Sequence, residues 1–275
     1  MKPNKVALLD KKESKKTNRK LENFEENKDL DSKEIMFIHE GRILRINLET
    51  LSKSESPLYI QERISPFISM CRLPNSEVFC YGNGSGFTFT FNSQGSFRQL
   101  WYGRPYYDSG CVYYNGNVYA FGGSSGYRVV NRAYKFSLSK NQWSRLANMP
   151  AEFMLCSCAV LQHKIIISCS DGSRVYDPEI DSYTELSPSS QINGLVVYVI
   201  RNRGYIFGSG GKIYESGVRN PYNWELSGNV TPLKNTPFGY FGHYKDAFYF
   251  LLRDFCLYKF DIQNRHFSKV ASFSE

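Results

Sequence analysis

From Glu34 onward, short apolar runs rich in Val, Ile, Phe and Tyr alternate with clusters of Gly, Asn, Ser and Asp. Turn signals return roughly every 8–12 residues, which is the rhythm of an all-β chain. No stretch repeats apolar residues at the 3.6-residue period of an amphipathic helix. Six runs read as equivalent strands: EIMFIHEG (34–41), EVFCYGNG (77–84), NVYAFGG (117–123), KIIISCS (164–170), GYIFGSG (204–210) and AFYFLL (247–252). Five are preceded by another apolar run: ISMCRL (68–73), GCVYYN (110–115), CSCAVL (156–161), LVVYVI (195–200) and YFGHY (240–244). Each of the six is followed by a third strand ending in an apolar anchor and a polar residue. The anchors are Ile46, Phe91, Phe136, Tyr176, Tyr214 and Phe260, a period of about 43 residues. Three copies place an aromatic seven residues past the anchor, at Trp143, Tyr183 and Phe267.

A sheet of four short strands cannot bury both faces alone, so repeats of this length must stack on one another. Stacking around an axis covers every face and leaves only short edges. A parallel solenoid would use shorter coils, and turns such as Tyr114-Asn115-Gly116-Asn117 and Ser170-Asp171-Gly172-Ser173 favour antiparallel neighbours. The expected fold is an all-β, six-bladed β-propeller of four-stranded antiparallel sheets over 34–275, behind a charged N-terminal arm over 1–33. Copy one lacks an obvious innermost strand, and part of 21–33 is the expected source of it.

The landmarks resemble the kelch repeat. Copy three carries them best, with Gly122-Gly123 ending strand two, Phe136 in strand three and Trp143 opening strand four. Copy four keeps Tyr176-Asp177-Pro178 and Tyr183. Copy five has Gly210-Gly211 and Trp224, copy two Gly82-Asn83-Gly84 and Phe97, and copy six Tyr258, Phe260, Asp261 and Phe267. The physical reading is that paired glycines allow close approach where one sheet meets the next, while the large aromatics fill the space between sheets.

Charge modifies this picture only at the N-terminus. Of the net +8, residues 1–20 carry +6 and residues 21–34 carry −4. The dense patch is Lys11, Lys12, Lys15, Lys16, Arg19 and Lys20. It suits an acidic protein surface, an anionic membrane or nucleic acid, or a solvated tail. The body carries no concentrated basic stripe, so nucleic acid is not the expected partner. The first residues lack a signal-like apolar core, and no run of 18 apolar residues occurs, so no membrane span is expected. Seven cysteines, an odd number, lie in strand-like runs and read as small buried hydrophobes in a reducing compartment, without disulfides or metal. Aligned on strand two, Cys71, Cys111, Cys158, Tyr198 and Phe241 share one position.

Chemistry-bearing motifs are sparse. The four histidines, His39, His163, His243 and His266, form no metal-ligand spacing. His243 is placed to line the channel. Gly82–Gly86 leads into a strand, whereas a phosphate loop needs a helix N-terminus next. No catalytic residue and no cofactor are expected. Recognition is expected instead from loops. The richest carries Trp101, Tyr102, Arg104, Tyr106 and Tyr107; others carry Tyr127, Arg128 and Arg132, then Arg219 and Tyr222. The kelch resemblance implies a protein-interaction module: a cytoplasmic scaffold or assembly subunit of the cytoskeletal class, within a large complex or filament, the nucleus also being open to it. Two other readings stand beside it. One is a small-molecule enzyme with its site in the central channel. The other is a ubiquitin-ligase substrate receptor, for which 33 residues ahead of the first blade leave no room for the usual extra domain.

Overall fold

The computed structural model describes residues 33–58, 68–82, 87–102, 109–126, 128–154, 156–169, 172–186, 192, 194–229, 240–252 and 254–273. Residues 1–32 of the expected arm, with the basic patch from Lys11 to Lys20, lie outside them. Blade one contains β1 (Glu34–His39), β2 (Arg42–Asn47) and β3 (Lys53–Pro57). Blade two contains β4 (Ser69–Arg72), β5 (Val78–Tyr81), β6 (Phe87–Phe91) and β7 (Phe97–Tyr102). Blade three runs β8 (Gly110–Tyr114), β9 (Asn117–Phe121), a small hairpin of β10 (Ser124–Ser125) and β11 (Arg128–Val129), then β12 (Ala133–Ser137) and β13 (Gln142–Arg145). Blade four is β14 (Ser157–Leu161), β15 (Lys164–Cys169), β16 (Gly172–Asp177) and β17 (Ser182–Glu185). Blade five is β18 (Gly194–Ile200), β19 (Arg203–Gly208), β20 (Lys212–Ser216) and β21 (Trp224–Asn229). Blade six is β22 (Tyr240–Tyr244), β23 (Ala247–Leu251), β24 (Cys256–Asp261) and β25 (His266–Ser272). All pairings are antiparallel and join chain neighbours, save β9 with β12, which the small hairpin separates; among the described residues the sheet of blade one shows three strands while the other five show four. Among the described residues the one helical element is a single 3-10 turn at Ser209–Gly211.

The second strands alternate between two neighbours, and this alternation builds the ring. Val118 and Ala120 of β9 pack with Phe79 and Tyr81 of blade two. Tyr119 and Phe121 of the same strand pack with Ile165, Ile167 and Tyr176 of blade four. Ile166 then faces blade five, where it meets Ile206, Tyr214 and Trp224. Successive side chains of a strand point to opposite faces, so each such strand must be apolar at every position. Blades five and six share Phe207, Phe248, Phe250 and Phe260. Blades one and two share Ile43, Val78 and Phe89. The sixth cluster joins Ile35, Phe37 and Leu44 of blade one to Ala247, Tyr249 and Leu257 of blade six, so the ring closes on itself. Across that seam the Tyr244 hydroxyl donates to Glu49 Oε1 at 3.0 Å.

The seven-residue aromatic spacing is a cross-strand pair. Phe136 lies opposite Trp143, Tyr176 opposite Tyr183 and Phe260 opposite Phe267. Copy two reaches the same pairing at six residues, Phe91 opposite Phe97. In blade one Lys53 occupies the aromatic's place, opposite Ile46. The polar residue after each anchor caps the outer turn. Asn47 Oδ1 accepts from the N–H groups of Glu49 and Thr50, Asn92 Oδ1 from those of Gln94 and Ser96, and Asp261 Oδ1 from those of Gln263 and Asn264. Asp177 and Ser137 cap in the same way, receiving the N–H of Glu179 and of Lys140. Blade five departs, because Glu215 there receives Arg203 and Arg265 instead.

These caps predict an acid limb to stability. The N–H of Asn264 holds the Asp261 carboxyl below the usual aspartate range. At Asp177 burial acts the other way, raising it, and the Glu179 N–H and Lys164 ammonium outweigh it. A carboxyl depressed in the folded state stabilises it above the unfolded value, and that contribution disappears as pH falls through the folded value. Urea midpoints should therefore hold steady from pH 7 to 5 and decline below about pH 4. In the Asp177→Asn/Asp261→Asn variant the decline should be shallower. An unchanged slope would remove the caps as its source.

Candidate functional site

Strand direction alternates within a blade, so the turns joining second to third strands share one face with the connections between blades. The first-to-second and third-to-fourth turns share the other face. This sorts the loops expected to recognise a partner. The end of β7 at Tyr102 and the β10–β11 hairpin with Arg128 lie on the first face. Arg219 and Tyr222, between β20 and β21, lie on the second. The backbone of Trp101 and Tyr102 is paired in β7 with Thr88 and Phe87. Arg104, Tyr106, Tyr107 and Tyr127 lie outside the described residues. Arg128 and Arg132 are exposed, as is Arg219. Tyr222 is half-buried and engaged with blade four. Its hydroxyl donates to the carbonyls of Leu161 and Gln162 at 3.3 and 3.2 Å, and the Lys164 ammonium sits 5.4 Å over its ring.

The first face is anchored at the Gly122-Gly123 pair. Both residues have positive φ, 64° and 96°. Gly122 N donates to Arg132 O at 2.8 Å, and Val130 N to Gly123 O at 2.9 Å, which ties the two legs of the hairpin excursion together. Gly123 N donates to Phe153 O and Met149 N to Asn131 O, both at 2.7 Å. These bonds fasten the excursion to the connector between blades three and four, residues 146–156. The Asn131 side chain returns a bond to Met149 O at 3.3 Å. Further along the connector, Ala147 N donates to Asp181, which also receives the Tyr176 hydroxyl at 2.7 Å. Burial, with Asp181 beside it, pushes the Tyr176 phenol far up, so it stays a neutral donor. Phe153 is buried, and the Arg174 guanidinium lies 5.7 Å from its ring. The connector and Arg174 escaped the sequence reading; the glycine pair was their visible signal, since paired glycines mark where a second backbone arrives.

Towards the axis the expected common position splits: Cys111, opposite Ala120, and Cys158, opposite Ile167, face the preceding blade, whereas Cys71, opposite Phe79, faces the following one and so meets Cys111. Cys71 and Cys111 are hydrogen-bonded neighbours, and that contact together with burial pushes the Cys71 thiol well up. Burial does the same at Cys80 and Cys158. All seven cysteines are free thiols. Further round, the Tyr198 and His243 rings meet edge-on at 6.3 Å. The five described inner strands carry no Asp or Glu. Among the described residues no group of three or more His, Cys, Asp or Glu is arranged to hold a metal ion, and no helix is long and apolar enough to cross a membrane.

Residues 105–150 match the family model of the Kelch motif, and they cover blade three and its approach. The repeat with the clearest landmarks therefore matches a kelch motif, and the ring that contains it is a six-bladed β-propeller. Among solved structures, one described as that of YjhT superposes with a TM-score of 0.66 at 12% identity, covering 79% of this chain and 87% of that one. At that identity the likeness establishes the fold. No curated protein sequence matches the chain.

Proposed function

We propose that this kelch-type propeller is a protein-interaction module that binds its partner through the face carrying the blade-three hairpin. The observation that carries the reading is the fastening of that hairpin to the connector. An exposed excursion bearing Arg128 and Arg132 is held by backbone bonds to Gly122, Gly123 and Asn131 rather than left to move. Pre-ordering a loop lowers the entropy lost on binding. Two exposed guanidiniums favour a partner that presents carboxylates there, because the planar fork pairs bidentately with them. The role fits an assembly subunit or scaffold, of a cytoplasmic and cytoskeletal kind, with the basic arm, Lys11 to Lys20, as a second contact.

The test is quantitative affinity capture with three full-length proteins: wild type, Arg128→Glu/Arg132→Glu, and Arg219→Glu. The double variant should lose the principal partner by tenfold or more, and Arg219→Glu on the opposite face should retain it. A chain starting at Glu34 should keep partners of the propeller and lose those of the arm. Equal capture by wild type and double variant would overturn the assignment of the face.

A further inference from the structure

The β14–β15 pairing places Ser157 opposite Ser168, Cys158 opposite Ile167 and Leu161 opposite Lys164. One step further along the same register brings Cys156 opposite Cys169. Directly opposed antiparallel residues have Cα atoms roughly 4.5–5.5 Å apart, within the 4.4–6.8 Å span that a disulfide bridges. The two sulfurs are in contact, 2.6 Å apart. We propose that Cys156 and Cys169 are an oxidisable dithiol, a peroxide-modified site that locks the connector between blades three and four to the edge of blade four.

The two members are suited to different steps. Cys156 is partly exposed at the connector's end, and Cys169 is buried at 1% exposure. The thiolate of Cys156 attacks one oxygen of hydrogen peroxide and cleaves the O–O bond, giving a sulfenic acid and hydroxide. The Cys169 sulfur then attacks the sulfenic sulfur, the S–O bond breaks, and its proton leaves with the departing hydroxide as water. Two thiols lose two electrons, and one peroxide becomes two waters. Cys71, Cys80 and Cys158 are poorer nucleophiles, since their thiols are held protonated. Cys71 and Cys111 also lie on different blades, so bonding them would require two sheets to move. The lock acts where Gly123 N already meets Phe153 O, three residues before Cys156.

The experiment treats the full-length protein with a small excess of hydrogen peroxide, then alkylates it under denaturing conditions. Titratable thiols should fall from seven to five, and peptide mapping should recover one Cys156–Cys169 cross-link. Cys156→Ser and Cys169→Ser should each abolish that cross-link; Cys156→Ser, at the partly exposed position, keeps the test open if Cys169→Ser does not fold. Amide exchange across 146–156 should slow at least threefold on oxidation. Persistence of seven thiols, or a link formed through Cys71, Cys111 or Cys158, would overturn the assignment of the pair. A cross-link without slower exchange would overturn the lock.

Discussion

Replacing Trp224 with alanine is expected to cost about 3–5 kcal/mol, among the largest losses available to a single substitution in this chain. Trp224 is 1% exposed at the start of β21 and closes the space between blades four and five, against Leu161, Ile166, Val175 and Ile206. Its ring rests on Gly204, where a Cβ would lie 2.4 Å from Cη2 and 2.8 Å from Cζ2. Gly204 N also donates to Ser216 Oγ, the residue opposite Trp224, so the backbone there cannot retreat freely. Gly204→Ala alone should therefore destabilise by overpacking, about 1–3 kcal/mol. In a Trp224→Ala background the same methyl enters the cavity and should be neutral or stabilising. Urea unfolding of the four proteins of that cycle should return a coupling above about 1 kcal/mol; additivity within about 0.5 kcal/mol would show that ring and glycine do not share the site.

Trp224 also shows where the sequence reading stops. The aromatic after the anchor is legible in five copies, and at Trp143, Tyr183 and Phe267 its spacing translates directly into a cross-strand pair. At blade five the spacing is ten, and Trp224 lies opposite Ser216 rather than Tyr214. The outer turn there is longer, closed by Gly217 N to Asn223 O and Asn223 N to Asn220 O, and nothing in a one-dimensional period reports such a turn. The second strands were legible because burial on two faces makes continuous apolar runs. The β10–β11 hairpin was not, since two residues per strand carry no alternation. Cys156 and Cys169 stood in two runs that the reading had already placed side by side. Their opposition follows once the turn between them is two residues, Gln162-His163, and both adopt positive φ, 46° and 68°. Hairpin turns of that type favour Asn and Gly, so this pair did not announce the register.

The second large effect is expected at Gly122, and it separates two reasons for a glycine. Gly116, in the Asn115-Gly116 turn, has φ of 76° and open space around the position of a Cβ. Gly116→Ala should cost only the left-handed conformation, about 1–2 kcal/mol. Gly122 has a similar φ of 64°, but a Cβ there would lie 2.4 Å from the Phe153 carbonyl oxygen and 2.9 Å from Met149 Cε. The side chain of Met149 can turn aside; the Phe153 carbonyl cannot, because it accepts the Gly123 N–H. Gly122→Ala must therefore push the connector off blade three, adding an overpacking cost to the conformational one, for a total of about 3–5 kcal/mol. Urea midpoints measure the difference between the two variants. Amide exchange should place the damage in 122–132 and 146–156 for Gly122→Ala, and in the Asn115-Gly116 turn for Gly116→Ala. Equal losses would mean that the glycine pair serves turn geometry alone, and the face proposed for recognition would lose its anchor.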